Sequence, residues 1–253
     1  MAGCAPVPAA TTPAATPTTS APPGAVLPQV PADSRLLLDF DGTDALAVDG
    51  SQAVARSQVI AGAQLSVVGS WDGTHALQFP AVSDLPEPPG LAVLVQGGAG
   101  MLPSPGTADF SYGADVRLDA VSTTELDNGD NVLQRGLAAD PTQFKLQMDA
   151  GRPACTVTGT GGRLMAKAAK RLSADAWFRL RCERSADGLT LTVSPVAGGE
   201  PEIVVVQGSA GSVDFAADIP FSIGRKVAPD ALPIVTQPDQ FNGTIDNVWA
   251  SLP

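Results

Sequence analysis

The sequence predicts an all-β fold, a sandwich or barrel of short strands, preceded by a disordered N-terminal stalk. Three observations predict it. From Arg35 onward, short apolar runs alternate with Asp72-Gly73, Asn128-Gly129, Asp187-Gly188 and Gly198-Gly199, pairs that supply positive φ at little cost. The chain holds 26 Gly and 23 Pro in 253 residues. Long helices tolerate neither, because Gly loses backbone entropy and Pro lacks a donor. Within the runs, faces alternate: Phe178, Leu180 and Cys182 point one way and Arg179, Arg181 and Glu183 the other, the period of a half-buried strand.

Residues 1–33 form the stalk and residues 34–253 the folded domain. Residues 5–33 hold eight prolines, with Ala and Thr filling most gaps. Such a segment buries too little apolar surface to offset its ordering entropy. It is expected to be an extended, semi-rigid spacer, open to O-glycosylation. The candidate strands then follow in order: Leu36–Phe40, Gln64–Val68, Ala76–Phe79, Leu91–Val95, Phe110–Leu118, Val132–Gln134 and Phe144–Met148. Beyond these come Ala154–Thr158, Trp177–Glu183, Leu189–Val193, Ile203–Val206, Phe221–Ile223 and Gly243–Trp249. Many short strands at this spacing indicate a sandwich or barrel. Arg163–Leu172 is a helix former by propensity. Its neighbours are strands with short connections, so a strand is expected there too.

Composition narrows the function. The net charge of −11 repels phosphate backbones, so no nucleic-acid partner is expected. No apolar run approaches the roughly 18 residues needed to cross a bilayer. The single histidine, His75, excludes a His-rich metal site and reads as a strand-edge residue. Residues 131–184 carry ten of the fifteen Lys/Arg but four of the 26 Asp/Glu. They could form a basic face for anionic glycans or wall polymers. The plainer reading, a solvated sheet face that includes Arg179 and Arg181, is preferred.

There are three cysteines. Cys155 and Cys182 lie in candidate strands and share faces with Val157 and Leu180, so both point inward. In an exported protein they would pair; in a cytosolic one they would be buried thiols. Cys4 closes Met1-Ala2-Gly3-Cys4, which resembles a bacterial lipobox, although the charged and apolar segment that a lipobox requires is absent upstream. A start assigned too late would explain this. The stalk favours a lipid anchor on Cys4, the one route to a membrane and to an extracellular, bacterial lipoprotein localisation. If Met1 is the true start, Cys4 carries no lipid.

The ordered pieces resemble a laminin-G-like, concanavalin A-like domain over roughly residues 35–252, which implies a jelly-roll β-sandwich of two antiparallel sheets. Leu37-Leu38-Asp39-Phe40-Asp41-Gly42 is similar to the opening strand of that family, and Thr74-His75-Ala76-Leu77-Gln78-Phe79 to a later one. Phe110–Arg117, Asn131–Gly136, the Trp-led Trp177–Cys182 and Gly188–Val193 follow in family order. Phe221-Ser222-Ile223-Gly224 and Phe241–Val248 resemble the closing strands. The Cys155/Cys182 placement is similar to that of bacterial secreted members. The sequence departs from the family at 225–239, where a Pro-rich stretch lengthens the last loop.

The resemblance implies three things to look for. One is a structural Ca²⁺ ion held by Asp39, Asp41 and Asp246, since a hard cation takes six to eight oxygens; the alternative is solvated aspartates capping turns. Another is a hydrolase reading. Glu125-Leu126-Asp127-Asn128-Gly129-Asp130 nearly matches the E-x-D-x-x-E strand of laminarinase-type glycosidases. The final Glu is shortened to Asp130, Asn128-Gly129 is a turn signal, and aromatic platforms are scarce, with three Trp and one Tyr. The third, and the expected function, is a non-catalytic cell-surface binding or adhesion module. It would recognise glycan or protein through loops at one edge of the sandwich. A structural cell-envelope lipoprotein without a discrete ligand is the alternative. No sequence feature names ligand-binding residues.

Overall fold

The structure is a computed structural model that describes residues 16–17, 27–48, 53–97, 102–119 and 129–253. The strands of the first half are β1 Thr16–Pro17, β2 Leu36–Leu38, β3 Val54–Ile60, β4 Ser66–Gly69, β5 His75–Gln78, β6 Gly90–Gln96, β7 Phe110–Leu118 and β8 Gly129–Arg135. Those of the second half are β9 Gln143–Asp149, β10 Arg152–Gly159, β11 Gly162–Lys167, β12 Trp177–Ser185, β13 Gly188–Pro195, β14 Glu202–Gln207, β15 Phe221–Ile223 and β16 Gly243–Ser251. They form two antiparallel sheets. The larger has the order β1-β14-β13-β12-β7-β16-β5-β4, with β2 also on β16; the smaller has the order β11-β10-β9-β8-β15-β6-β3.

Alternation builds the core between the sheets. Along β7, Phe110, Tyr112, Ala114, Val116 and Leu118 are buried inward, which turns Ser111, Gly113, Asp115 and Arg117 outward. Phe144 is the hub of the core, with ring centroids 4.8 Å from Tyr112, 5.5 Å from Phe110 and 5.4 Å from Phe221. Each such ring contributes about 1.5–3 kcal/mol by leaving water. The Tyr112 hydroxyl reaches across the core to β10 and donates to the Thr156 carbonyl at 3.0 Å. Burial pushes its pKa well above the ordinary phenol range. Cys155 on β10 and Cys182 on β12 are disulfide-bonded with Cα atoms 5.8 Å apart, so the bridge ties one sheet to the other.

Local sequence explains most elements. Ser185 pairs with Gly188, leaving Ala186-Asp187 as the two-residue turn of the β12–β13 hairpin. Gly198 and Gly199 take φ of 95° and 126° between β13 and β14. Gly162–Lys167 is a strand despite its helix propensity. Pairing with β10 buries Leu164 and Ala166 and leaves Arg163 exposed, so tertiary context overrides local preference. The sequence reading passed over β3, an outer strand whose residues are all half-buried or exposed. It therefore shows no apolar face.

The end of the stalk differs from the expected free spacer. Thr16 and Pro17 pair with Val205 and Val204 on β14. The Pro28 carbonyl accepts from Arg179 Nη1 at 2.8 Å, and Ser251 Oγ donates to Asp33 Oδ1 at 3.2 Å. Proline-rich chain keeps its carbonyls as acceptors, and the sandwich supplies the donors.

Candidate binding site

The sequence-predicted site residues are scattered. Exposed Asp41 accepts the His75 N–H at 2.8 Å, and Asp39 accepts the Asp41 N–H at 3.2 Å. Asp246 is fully buried on β16, where Ser70 Oγ and the Asn247 N–H already donate to it. Among the described residues no three His, Cys, Asp or Glu side chains are grouped so as to hold a metal ion. Cys4 and Glu125 lie outside the described residues; Asp130 is buried on β8. No helix among the described residues is long and apolar enough to cross a membrane.

The cation-rich stretch 131–184 does not make one basic face. Arg135 is buried, donates to the Leu102, Pro103 and Ile219 carbonyls and stacks on Phe215 and Phe221. Burial lowers its pKa to about 10. Lys145 is paired with Asp239 at 2.6 Å. Arg184 donates to the Ala108 and Gly211 carbonyls. Arg179, expected in solvent, is 8% exposed and bonded to Asp115.

That pair centres a polar cluster on the outer face of the larger sheet. Asp115 on β7 lies opposite both Arg179 on β12 and Asp246 on β16. Trp71 Nε1 and Asn247 Nδ2 also donate to Asp115 Oδ2, each at 3.0 Å. A register shift between Asp246 and Trp249 brings Asn247 into place with φ of 46°. Asp246 has its pKa raised to about 7, chiefly by burial, with the Asp115 and Asp72 charges adding to it. All three tryptophans of the chain carry a stacked arginine. Arg117 lies 5.7 Å from Trp177, Arg179 5.8 Å from Trp71 and Arg181 5.6 Å from Trp249, within cation–π range. Sequence reasoning missed this cluster. Its one signal was the run of polar residues Ser111, Asp115 and Arg117 on the outward register of β7.

A concave feature lies elsewhere, where the Pro-rich 225–239 stretch meets the loop 80–89. It is a cleft of about 590 Å³, within the size range of small-ligand sites. Part of its lining comes from side chains just before β16. Gln240 Oε1 accepts the Leu91 N–H at 3.0 Å, and its Nε2 donates to the Gly224 carbonyl at 2.9 Å. Asn242 Nδ2 donates to the Pro80 carbonyl at 2.7 Å. Asn242 is 2% exposed, and its Oδ1 has no hydrogen-bond partner. Arg225 fills the space beside Gly90, where a Cβ would lie 2.3 Å from its Nη1. Asp239 anchors the long loop through Lys145 and Lys226, at 2.6 and 3.3 Å. Burial lowers the Lys145 pKa against the pull of Asp239. The walls are apolar, with Leu85 59% and Val235 75% exposed, and Asp84 and Glu87 also line the cleft.

No sequence-family profile and no characterised protein matches the chain. Solved structures do. The binding domain of botulinum neurotoxin serotype G aligns over 86% of this chain and 47% of its own, at 10% identity and a TM-score of 0.54. The sandwich has the concanavalin A-like fold. The binding domain of Paraclostridial Mosquitocidal Protein 1 aligns over 85% of this chain and 48% of its own, at 12% identity and a TM-score of 0.52. The LG1-3 region of the laminin α2 chain aligns over 63% and 29%, at 10% identity and a TM-score of 0.49. The chain thus spans half or less of the length of these structures, and at such identities the likeness is one of fold.

Proposed function

We propose that this chain is a non-catalytic binding or adhesion module of the cell surface, and that it grips a protein partner in the cleft between loops 80–89 and 225–239. The observation that carries this reading is the cleft itself, an apolar-walled cavity of about 590 Å³ with Gln240 and Asn242 in its lining. Leu85 and Val235 suit an aliphatic side chain, and Asp84 and Glu87 favour a basic flank. The cleft is lined by no aromatic side chain, so a stacked sugar fits it less well.

The cross-sheet disulfide supports export, because such bridges persist in oxidising compartments. A lipid on Cys4 would hold the module at a membrane. A hydrolase would need Glu125 and Asp130 on one rigid open strand, and Asp130 is buried. The test is a random peptide display library beside a glycan array, both probed with the full chain. Peptides pairing an aliphatic residue with Lys or Arg, and lost on Val235→Asp, are the expected result. Glycan binding that survives Val235→Asp would overturn the assignment.

A further inference from the structure

The outer face of the larger sheet is chemically unlike the cleft. It gathers Trp71, Trp177 and Trp249, with Arg179, Arg117 and Arg181 respectively stacked on them. We infer that this face is a docking surface for proline-rich chain, and that its occupant is the Leu27–Ser34 segment of the stalk itself.

Register shows the path of the segment. Arg179 pairs with Asp115, Arg181 with Gly113 and Glu183 with Ser111 across β12 and β7. On the other side of β7, Trp249 pairs with Gly113 and Ser251 with Ser111. The segment is fixed at both ends of this block: the Pro28 carbonyl at Arg179, and Asp33 at Ser251 with the Arg35 N–H on the Ala250 carbonyl. Between those ends lies the row of Arg181, Gly113 and Trp249. A Cβ on Gly113 would meet Trp249 Cζ2 at 2.6 Å, so the indole lies flat across the glycine. Trp249 faces outward from the sheet yet is 1% exposed. A strap crossing its row accounts for that burial.

The chemistry of the two surfaces is complementary. Proline-rich chain offers carbonyls and few N–H groups, and it holds an extended shape without internal hydrogen bonds. Aromatic rings flanked by donors are the surface that recognises it. Here the face is rich in donors. Arg179 Nη1 serves Pro28, and Trp249 Nε1 has no partner. A second anchor is independent of the first: Thr16 and Pro17 pair with the outer edge of β14. The stalk thus lies along the sandwich at two places, and its docking sets how far the domain stands from whatever it is tied to. This inference does not rest on the cleft.

The test begins with backbone ¹⁵N relaxation on the full, unaltered chain. Gln29, Val30, Ala32 and Asp33 are expected to have order parameters near the rigid value of about 0.85. Values below about 0.6 would overturn the docking. A second variant replaces residues 27–33 by alternating glycine and serine. Its tryptophan emission is expected to shift to the red, with acrylamide quenching increased. A synthetic peptide of sequence Leu27–Ser34 is then expected to restore protection saturably. Unchanged quenching, or no effect of the peptide, would overturn the assignment of the surface. Protection in the unaltered chain that rises with protein concentration would assign the occupant to a second copy and overturn docking in cis.

Discussion

Arg179 grips Asp115 through two parallel hydrogen bonds, Nε to Oδ1 and Nη2 to Oδ2, each 2.6 Å long, beneath the outer surface of the larger sheet. Both are buried, Asp115 completely. The pair organises what surrounds it. Trp71 and Asn247 complete the carboxylate's acceptors, and the opposite side of the guanidinium holds the stalk at Pro28.

Removing one partner should therefore cost more than removing both. Arg179→Met leaves a buried carboxylate with two neutral donors. It is expected to destabilise the domain by about 3–5 kcal/mol, and Asp115→Asn combined with it should recover part of that loss. Urea denaturation of the two variants measures the difference.

Asp246 makes stability depend on pH. Its folded pKa of about 7 lies above the ordinary carboxylate value of 3.8. The folded state therefore holds a proton that the unfolded state has released. This contribution is full below the unfolded pKa, falls as pH rises between about 4 and 7, and is lost above that. The fall is expected to reach about 4 kcal/mol at most. Asp246→Asn should flatten this part of the profile, and melting curves across that pH range would show whether it does.

The Cys155–Cys182 bridge closes a sequence separation of 27 residues. Loop-closure entropy puts its contribution at about 3–4 kcal/mol. Cys155→Ala combined with Cys182→Ala should lower the unfolding free energy by that amount and the urea midpoint with it. An unchanged midpoint would show that the packing between the sheets carries the stability alone.

Gly113 is required by its neighbours rather than by its backbone. An added Cβ would lie 2.3 Å from the Leu180 carbonyl oxygen and 2.6 Å from the Trp249 ring. Gly113→Ala is expected to destabilise the domain by about 1–3 kcal/mol. It should also raise tryptophan quenching as the indole is displaced; calorimetry and fluorescence report the two effects separately.

Ca²⁺ offers a further check. Asp246 is already satisfied by Ser70 and Asn247, and Asp41 by His75. Added Ca²⁺ is expected to leave the melting temperature unchanged. A rise that is lost in Asp39→Asn and Asp41→Asn would show that the loop rearranges around the ion.

The sequence by itself determined the sandwich, because alternation is a local property. Phe110–Leu118 and Trp177–Ser185 show their inward and outward faces residue by residue, and turn pairs mark where the chain reverses. It also placed Cys155 and Cys182 on inward faces, where the structure joins them. Only the tertiary structure decided which outward residues meet. Asp115 and Arg179 are 64 positions apart, and strand register alone sets them side by side. Arg163–Lys167 became a strand only because β10 offered an edge to pair with. The cleft needed two distant Pro-rich loops to converge on Gln240 and Asn242. The stalk looked free because its composition cannot bury a core of its own; it rests on donors that another part of the chain provides.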